Sequence, residues 1–401
     1  MSVNDRLIRG SVILFYFLIG LEIVIMISPF AGFFYAGYGP VLNFLYGIKA
    51  TSWLTGFFLP HAVIANNDLL NFLNGLGRSL FSFGLIAFFI GAVQIYSAKF
   101  RRKGVVSSIL YRWVRHPQYL FLAISGLGLL LFWPRFIILI LYISMLYVYY
   151  LLAKNEEDRM LKQHGNSYAA YMQRTAMFIP GNPGQKIFHI FLGWIKSKRL
   201  ALAASYGFIL FFAILAAFGL RHYTISQISK MYLPEKQITA VSIIPRSDQA
   251  IKNIFDVLYK DSRITSILSE YRQKEGQKGF LVHLMPVHYR MQGLFVAPFN
   301  SGITSGRIST WKNVVGFVFP SLSLFRHKKM MGRMNSDDVL LIFSQLTWPD
   351  GEYAHADEAL NFSVKHLPLL EVLVDLENRT VLQVQKTPNR NLWGRMPMPA
   401  F

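Results

Sequence analysis

Apolar runs of near-bilayer length recur through the first half of this chain and constrain its fold more than any other feature. Lipid cannot hydrogen-bond a peptide group, so such a run must close its own backbone bonds as a helix. Six segments qualify: Val12–Phe34, Val41–Ile64, Leu80–Tyr96, Leu120–Phe132, Phe136–Ala153 and Ala201–Leu220. At 53% hydrophobic residues the chain exceeds the usual content of soluble domains. The first run is too long for a signal peptide and has no small-residue cleavage pattern, so it reads as a retained helix. The expected fold is an α-helical polytopic membrane protein of five or six transmembrane helices, with a C-terminal soluble α+β domain. The second run makes the number uncertain: Val41–Ile64 carries Lys49, ends near Pro60 and His61, and could lie in the interface or re-enter instead of spanning. Glu22 and Lys49 are expected to pair if both runs span, because an isolated charge in lipid is costly.

The net charge of +20 is concentrated near the membrane segments. Up to Arg221 there are 20 basic and 6 acidic residues; beyond it there are 21 and 15. Lys99–Lys103, Arg112–Arg115 and Lys196–Arg199 hold much of the excess, and basic flanks mark the cytoplasmic side. The loops that carry these clusters and the two polar motifs described below are therefore expected in the cytosol. A spanning Ala201–Leu220 then carries the C-terminal domain to the non-cytoplasmic side. Basic residues tied to membrane helices argue for lipid headgroups as partners and against nucleic acid. The absence of cysteine excludes disulfides, cysteine-ligated metals and a thiol nucleophile.

After Leu220 the pattern changes. Residues 1–221 read as the transmembrane domain, with a motif core over 77–180, and 222–401 as a separate soluble domain. Strands are predicted at Ile238–Ile244, Phe280–Val287, Val314–Phe319, Val339–Leu346, Leu370–Asp375 and Val381–Val384, with a turn at Glu377–Thr380. Helices are predicted at Gln249–Tyr259 and Ile264–Lys274. The histidines His283, His288, His327, His355 and His366 lack tight ligand spacing, so no metal is expected.

Two polar motifs flank a hydrophobic hairpin. Arg115-His116-Pro117-Gln118-Tyr119 precedes the run that begins at Leu120, and Asn155-Glu156-Glu157-Asp158 follows the run that begins at Phe136. Trp133-Pro134-Arg135 breaks the helix between them. Folding the hairpin brings both motifs to one membrane face. Pro117 suits a first helical position, which puts His116 and Tyr119 at a helix N-terminus that favours anions. Glu156 and Glu157 supply negative charge, so a molecule bearing both signs fits. Gly165 is a helix stop, and Tyr168 and Tyr171 share a face three residues apart. Gly126-Leu127-Gly128 inside a membrane run predicts close helix packing.

Tyr111, Arg112, Arg115, His116, Pro117 and Tyr119, then Glu156, Glu157, Met160, Leu161, Gly165, Tyr168, Tyr171 and Pro180, form a series. It resembles the isoprenylcysteine carboxyl methyltransferase and phospholipid methyltransferase superfamily. These are integral membrane enzymes that use S-adenosylmethionine without a dinucleotide-binding domain. The resemblance covers about a quarter of the chain and excludes the C-terminal domain. It implies catalytic roles for Arg115 and Glu157, and cofactor binding by His116, Pro117, Tyr119, Glu156 and Tyr171. It implies a lipophilic or membrane-associated methyl acceptor: an isoprenylcysteine carboxylate, a phospholipid amine or a small thiol. Phe121 stands where the family often has glycine two residues after the motif tyrosine, and a ring there narrows the space for a substrate.

Two other readings compete. Sterol and steroid reductases share the Arg-His-Pro-x-Tyr element, but carry an Arg-x-x-Arg-Asp-Glu run and use a nicotinamide cofactor. Here Lys154-Asn155-Glu156-Glu157-Asp158 lacks the second basic residue. A non-catalytic anchor presenting the C-terminal domain is the third reading. Oligomeric state is not legible in the sequence.

Overall fold

The computed structural model describes residues 41–61, 63–100, 109–181, 183–286, 290–291, 294–295 and 338–387. The predicted helix Val12–Phe34, Glu22 within it and the predicted strand Val314–Phe319 lie outside the described residues. The chain divides into two units, one of residues 1–19 and 75–219, the other of 20–74 and 220–401.

In the first unit the helices are α1 (Asp68–Phe100), α2 (Pro117–Phe132), α3 (Phe136–His164), α4 (Asn166–Arg174), α5 (Pro183–Leu192) and α6 (Lys198–Ser226). The first residues of α1 and the last of α6 belong to the second unit. Among the described residues three helices are long and apolar enough to cross a membrane, namely α1, α3 and α6, and α2 is a shorter apolar helix. Among the described residues the count is thus below the expected five or six, with Val12–Phe34 lying outside them. At 16 residues α2 is about 24 Å long, short for a bilayer core.

Helices α1 and α2 touch backbone to backbone. A Cβ on Gly77 would lie 2.8 Å from the Gly128 carbonyl oxygen, and one on Gly84 would lie 2.5 Å from the Ser125 nitrogen. Small residues are required where helices approach this closely. The packing expected of Gly126 and Gly128 is therefore present, with Gly126 against Tyr142 and Met145 of α3. Trp133 ends α2 and Arg135 caps α3 across Pro134, closing the hairpin. Tyr147 Oη donates to Ser205 Oγ at 3.0 Å, and Ser144 and Tyr206 hydroxyls lie 2.9 Å apart, so polar groups link α3 to α6.

The second unit holds a six-stranded mixed sheet. Its strands are β1 (Lys230–Leu233), β2 (Ile238–Ser242), β3 (Phe280–Pro286), β6 (Asp338–Thr347), β7 (Lys365–Asp375) and β8 (Thr380–Lys386), in that spatial order; β4 (Arg290–Met291) and β5 (Leu294–Phe295) form a separate small ribbon. Only the β2–β3 pair of the large sheet is parallel, and the intervening helices α7 (Asp248–Lys260) and α8 (Ser262–Glu275) make the crossover. Ser247 and Asp261 cap them, each accepting a backbone N–H. Ile251, Ile254, Phe255 and Leu258 of α7 and Ile264 of α8 bury one sheet face over Ile238, Ala240, Phe280, Val282 and Leu284.

The opposite sheet face is also apolar. Val241, Ile243, Leu281, Met285, Leu340, Ile342 and Leu346 cluster with Val63, Ile228, Ala354 and Val364. Residues 41–66 belong to this unit, so of the readings left open for Val41–Ile64 the spanning one does not hold. The stretch is helical only over 41–47, turns through a 3-10 segment at Ser52–Thr55, and then follows the sheet. Tyr46 Oη donates to the Val364 carbonyl, Ser52 Oγ lies 2.7 Å from Ser363 Oγ, and the Ile64 N–H donates to Ile243 O at 2.8 Å. Arg221 donates to the Phe57 and Leu360 carbonyls at 2.7 and 2.9 Å, with its guanidinium 4.0 Å from the Phe362 ring centre. Gly56 is needed beneath that ring, since a Cβ there would lie 2.6 Å from Phe362 Cε1. Lys49 sits over the Trp348 ring, 5.9 Å from its centre.

Candidate active site

The polar ends of the hairpin meet in the first unit. On α3, Met145, Tyr149, Ala153 and Glu157 recur every four residues and are all buried. Glu157 is therefore the charged member of an otherwise apolar stripe, with 1% of its surface exposed. A carboxylate so placed needs a partner. Arg115 supplies it, with Nε 2.7 Å from Glu157 Oε1. Lys154 Nζ lies 3.7 Å from the other oxygen.

His116 caps α2 with a non-helical backbone (φ −124°, ψ 59°), and its side chain makes no cap bond. The ring turns to the two carboxylates instead: Nδ1 is 3.4 Å from Glu156 Oε2, and Nε2 is 3.5 Å from Glu157 Oε1. The second approach is ionic rather than a well-formed hydrogen bond. Pro117 is the first residue of α2, as its missing N–H allows. One turn on, Tyr119 Oη donates to Glu156 Oε1 at 2.7 Å. Glu156 is the open carboxylate of the pair, its side chain 39% exposed against 2% for Glu157. Tyr119 is stacked between His116 and Tyr149, with ring centres 5.8 and 5.2 Å away.

A strap after α4 forms the third side. Val114 pairs with Ala176 in a parallel bridge, the Arg115 N–H donates to Ala176 O at 2.9 Å, and the His116 N–H donates to Met177 O at 3.2 Å. Arg115 Nη1 donates to Met172 O at 3.0 Å and to Thr175 O. The Phe178 ring lies 5.9 Å from His116. Tyr171 Oη donates to the Tyr111 carbonyl at 2.6 Å, which ties α4 to the turn before the motif. Burial holds the Tyr171 hydroxyl above its ordinary pKa and pushes that of Tyr168 up to about 12, so both stay protonated donors at neutral pH.

The structure thus brings Arg115, His116, Tyr119, Glu156 and Glu157 into one network, with Pro117 as its helix start. Tyr171 reaches the backbone beside that network. Phe121 stacks edge-on against Phe83, 6.0 Å between centres. Sequence reasoning missed Tyr149 and the strap. Tyr149 was findable, since it precedes Glu156 by about two helical turns and so shares its side of α3. The strap acts through carbonyls, which leave no side-chain signature.

The phospholipid methyltransferase family matches residues 79–167. The match agrees with the resemblance of this segment to the isoprenylcysteine carboxyl methyltransferase and phospholipid methyltransferase superfamily, and takes in less than a quarter of the chain. The match takes in Arg115, His116, Pro117, Tyr119, Glu156 and Glu157, and ends just short of Tyr168, Tyr171 and the strap. No match was found among curated proteins or solved structures.

His116 gives the network a pH dependence. Burial pulls the imidazole pKa down, but the close approaches to Glu156 and Glu157 and their charges outweigh it, and the pKa stands above its ordinary value. A raised folded pKa stabilises fully below the unfolded value of about 6.5 and is lost as pH climbs through the raised one. The melting temperature should therefore fall on the alkaline side by an increment that His116→Gln lacks. Parallel pH curves for the two proteins would count against this protonation state.

Proposed function

We propose that the chain is an integral membrane methyltransferase that binds S-adenosylmethionine at this network and methylates an amine on a membrane-associated acceptor of the phospholipid type. One observation carries the reading: the open group of the network is a carboxylate, Glu156, flanked by stacked aromatic rings. Carboxylate and aromatic faces both favour cations. The motif's own cation, Arg115, is paired with Glu157. A site so polarised suits an amine better than a carboxylate acceptor.

The residues present also fit the cofactor. Its amino group and sulfonium complement Glu156, its adenine complements the rings of Tyr119 and His116, and its carboxylate complements the positive N-terminal end of α2. The buried Tyr111 hydroxyl has no hydrogen-bond partner and offers one more donor beside this network. S-adenosylmethionine supplies an electrophilic methyl group. The chain's part is to hold donor and acceptor in line, keep water out and fix charge around them.

Calorimetry on the detergent-solubilised full chain should show S-adenosylmethionine binding that weakens at least tenfold in Glu156→Gln, a loss in the range of one charge-assisted hydrogen bond. Labelled methyl groups should then appear in vesicles containing an aminophospholipid and not on a prenylated cysteine. Tight binding of a nicotinamide cofactor with none of S-adenosylmethionine would sink the assignment.

A further inference from the structure

Arg115 leads the motif, and the family resemblance implies a catalytic role for it. Two of its three guanidinium nitrogens are already engaged. Nε meets Glu157 Oε1, Nη1 meets the Met172 and Thr175 carbonyls, and only 8% of the side chain is exposed. The same residue's N–H, and that of His116, bond the strap at Ala176 and Met177. The strap is thus fastened twice, once through backbone and once through the guanidinium. The oxygen of Glu157 that Arg115 holds is also the one facing His116 Nε2. If Arg115 turned to a ligand, it would leave a buried carboxylate short of its closest partner and two carbonyls unbonded, which protein interiors disfavour strongly.

We propose that Arg115 is a positioning residue: it staples the strap of residues 172–177 to Glu157 and so holds His116 between the two carboxylates, leaving Glu156 to meet the ligand. The identity of that ligand rests on the methyltransferase reading; the staple itself does not. Arginine is required because its planar fork reaches a carboxylate and two carbonyls at once, whereas lysine offers a single point charge.

The test uses the full chain in detergent, as wild type, Arg115→Lys and Arg115→Gln. Hydrogen exchange is followed over residues 113–117 and 172–178, and S-adenosylmethionine and its decarboxylated form are titrated against each protein. Exchange in both segments should accelerate at least tenfold in both variants, with lysine no better than glutamine. Affinity for the two ligands should fall together, their ratio staying within about twofold of wild type. A ratio that collapses toward one in the variants means that Arg115 holds the ligand's carboxylate, and overturns the proposal. Unchanged exchange overturns it too, whether or not the ligands bind. If wild type binds neither ligand, the functional reading fails alone and exchange still decides on the staple.

The double variant Arg115→Met/Glu157→Leu separates positioning from stability. It removes both members of the buried pair, so the melting temperature should recover while ligand affinity stays down at least tenfold. Recovery of both would reduce Arg115 to a purely structural role and overturn the proposal. Should no variant fold, wild type serves: saturating S-adenosylmethionine should leave strap exchange unchanged or slower. Faster exchange, the mark of a guanidinium released to the ligand, would overturn the proposal.

Discussion

Phe57→Ala should destabilise the C-terminal unit by about 3–5 kcal/mol, the usual cost of emptying an aromatic site in a packed core. Phe57 is 1% exposed and stacks on His61 with ring centres 4.3 Å apart and planes 10° from parallel. Its carbonyl takes Arg221 Nη1, and the next carbonyl, that of Phe58, takes the Thr224 hydroxyl at 3.2 Å. Ring loss would therefore loosen the contacts that hold this stretch, and with it Val63, which clusters with Val241, Leu281 and Ile342. The measurement is denaturant unfolding of the full chain, followed by loss of the sheet signal. A phenylalanine facing lipid would give a change well under half of that. An unshifted midpoint would mean that residues 52–64 do not cover the sheet.

Mild acid should weaken the same unit through two histidines. His283 on β3 and His366 on β7 are buried, with ring centres 6.5 Å apart. Burial, and then the neighbouring His366, lower His283 to about 3. Burial lowers His366 to about 4, against the bond to the Ala359 carbonyl and with the Arg221 charge adding to the fall. Both are neutral in the fold, whereas the unfolded chain protonates them near pH 6.5. Their stabilisation is complete above that value and drains away as pH falls toward 4 and 3. By pH 5 the pair should account for about 4 kcal/mol of lost stability. The double variant His283→Gln/His366→Gln should lose less between pH 7 and pH 5 than wild type does. Equal losses would show that these rings are not the acid-sensitive groups.

The motif network was legible because its determinants are side chains at helical spacing. Glu157 four residues beyond Ala153, and a proline that starts a helix at Pro117, both leave a pattern in the sequence. Most of the sheet was legible too: β2, β3, β6, β7 and β8 lie where β-branched runs predicted them, with ends differing by a few residues. The four-residue β1 was not, being too short to show alternation. Val41–Ile64 stayed open in the sequence because hydropathy measures how badly a segment wants to leave water. It does not say whether lipid or a sheet will receive it. Lys49, Pro60 and His61 were the clue, since the stretch carries polar groups that bond readily in protein and poorly in lipid. The strap at 172–177 was out of reach for a different reason: carbonyl acceptors are the same in every residue.

The seam between α1 and α2 limits how a lipid could approach the network. At Gly77, Gly84 and Gly128 the two backbones lie too close for even a methyl group between them. A gate needs side chains that can swing aside, and at these three glycines there are none to move. An acyl chain bound for Glu156 cannot part the helices there without separating their main chains, so any lateral path for a lipid avoids this part of the seam.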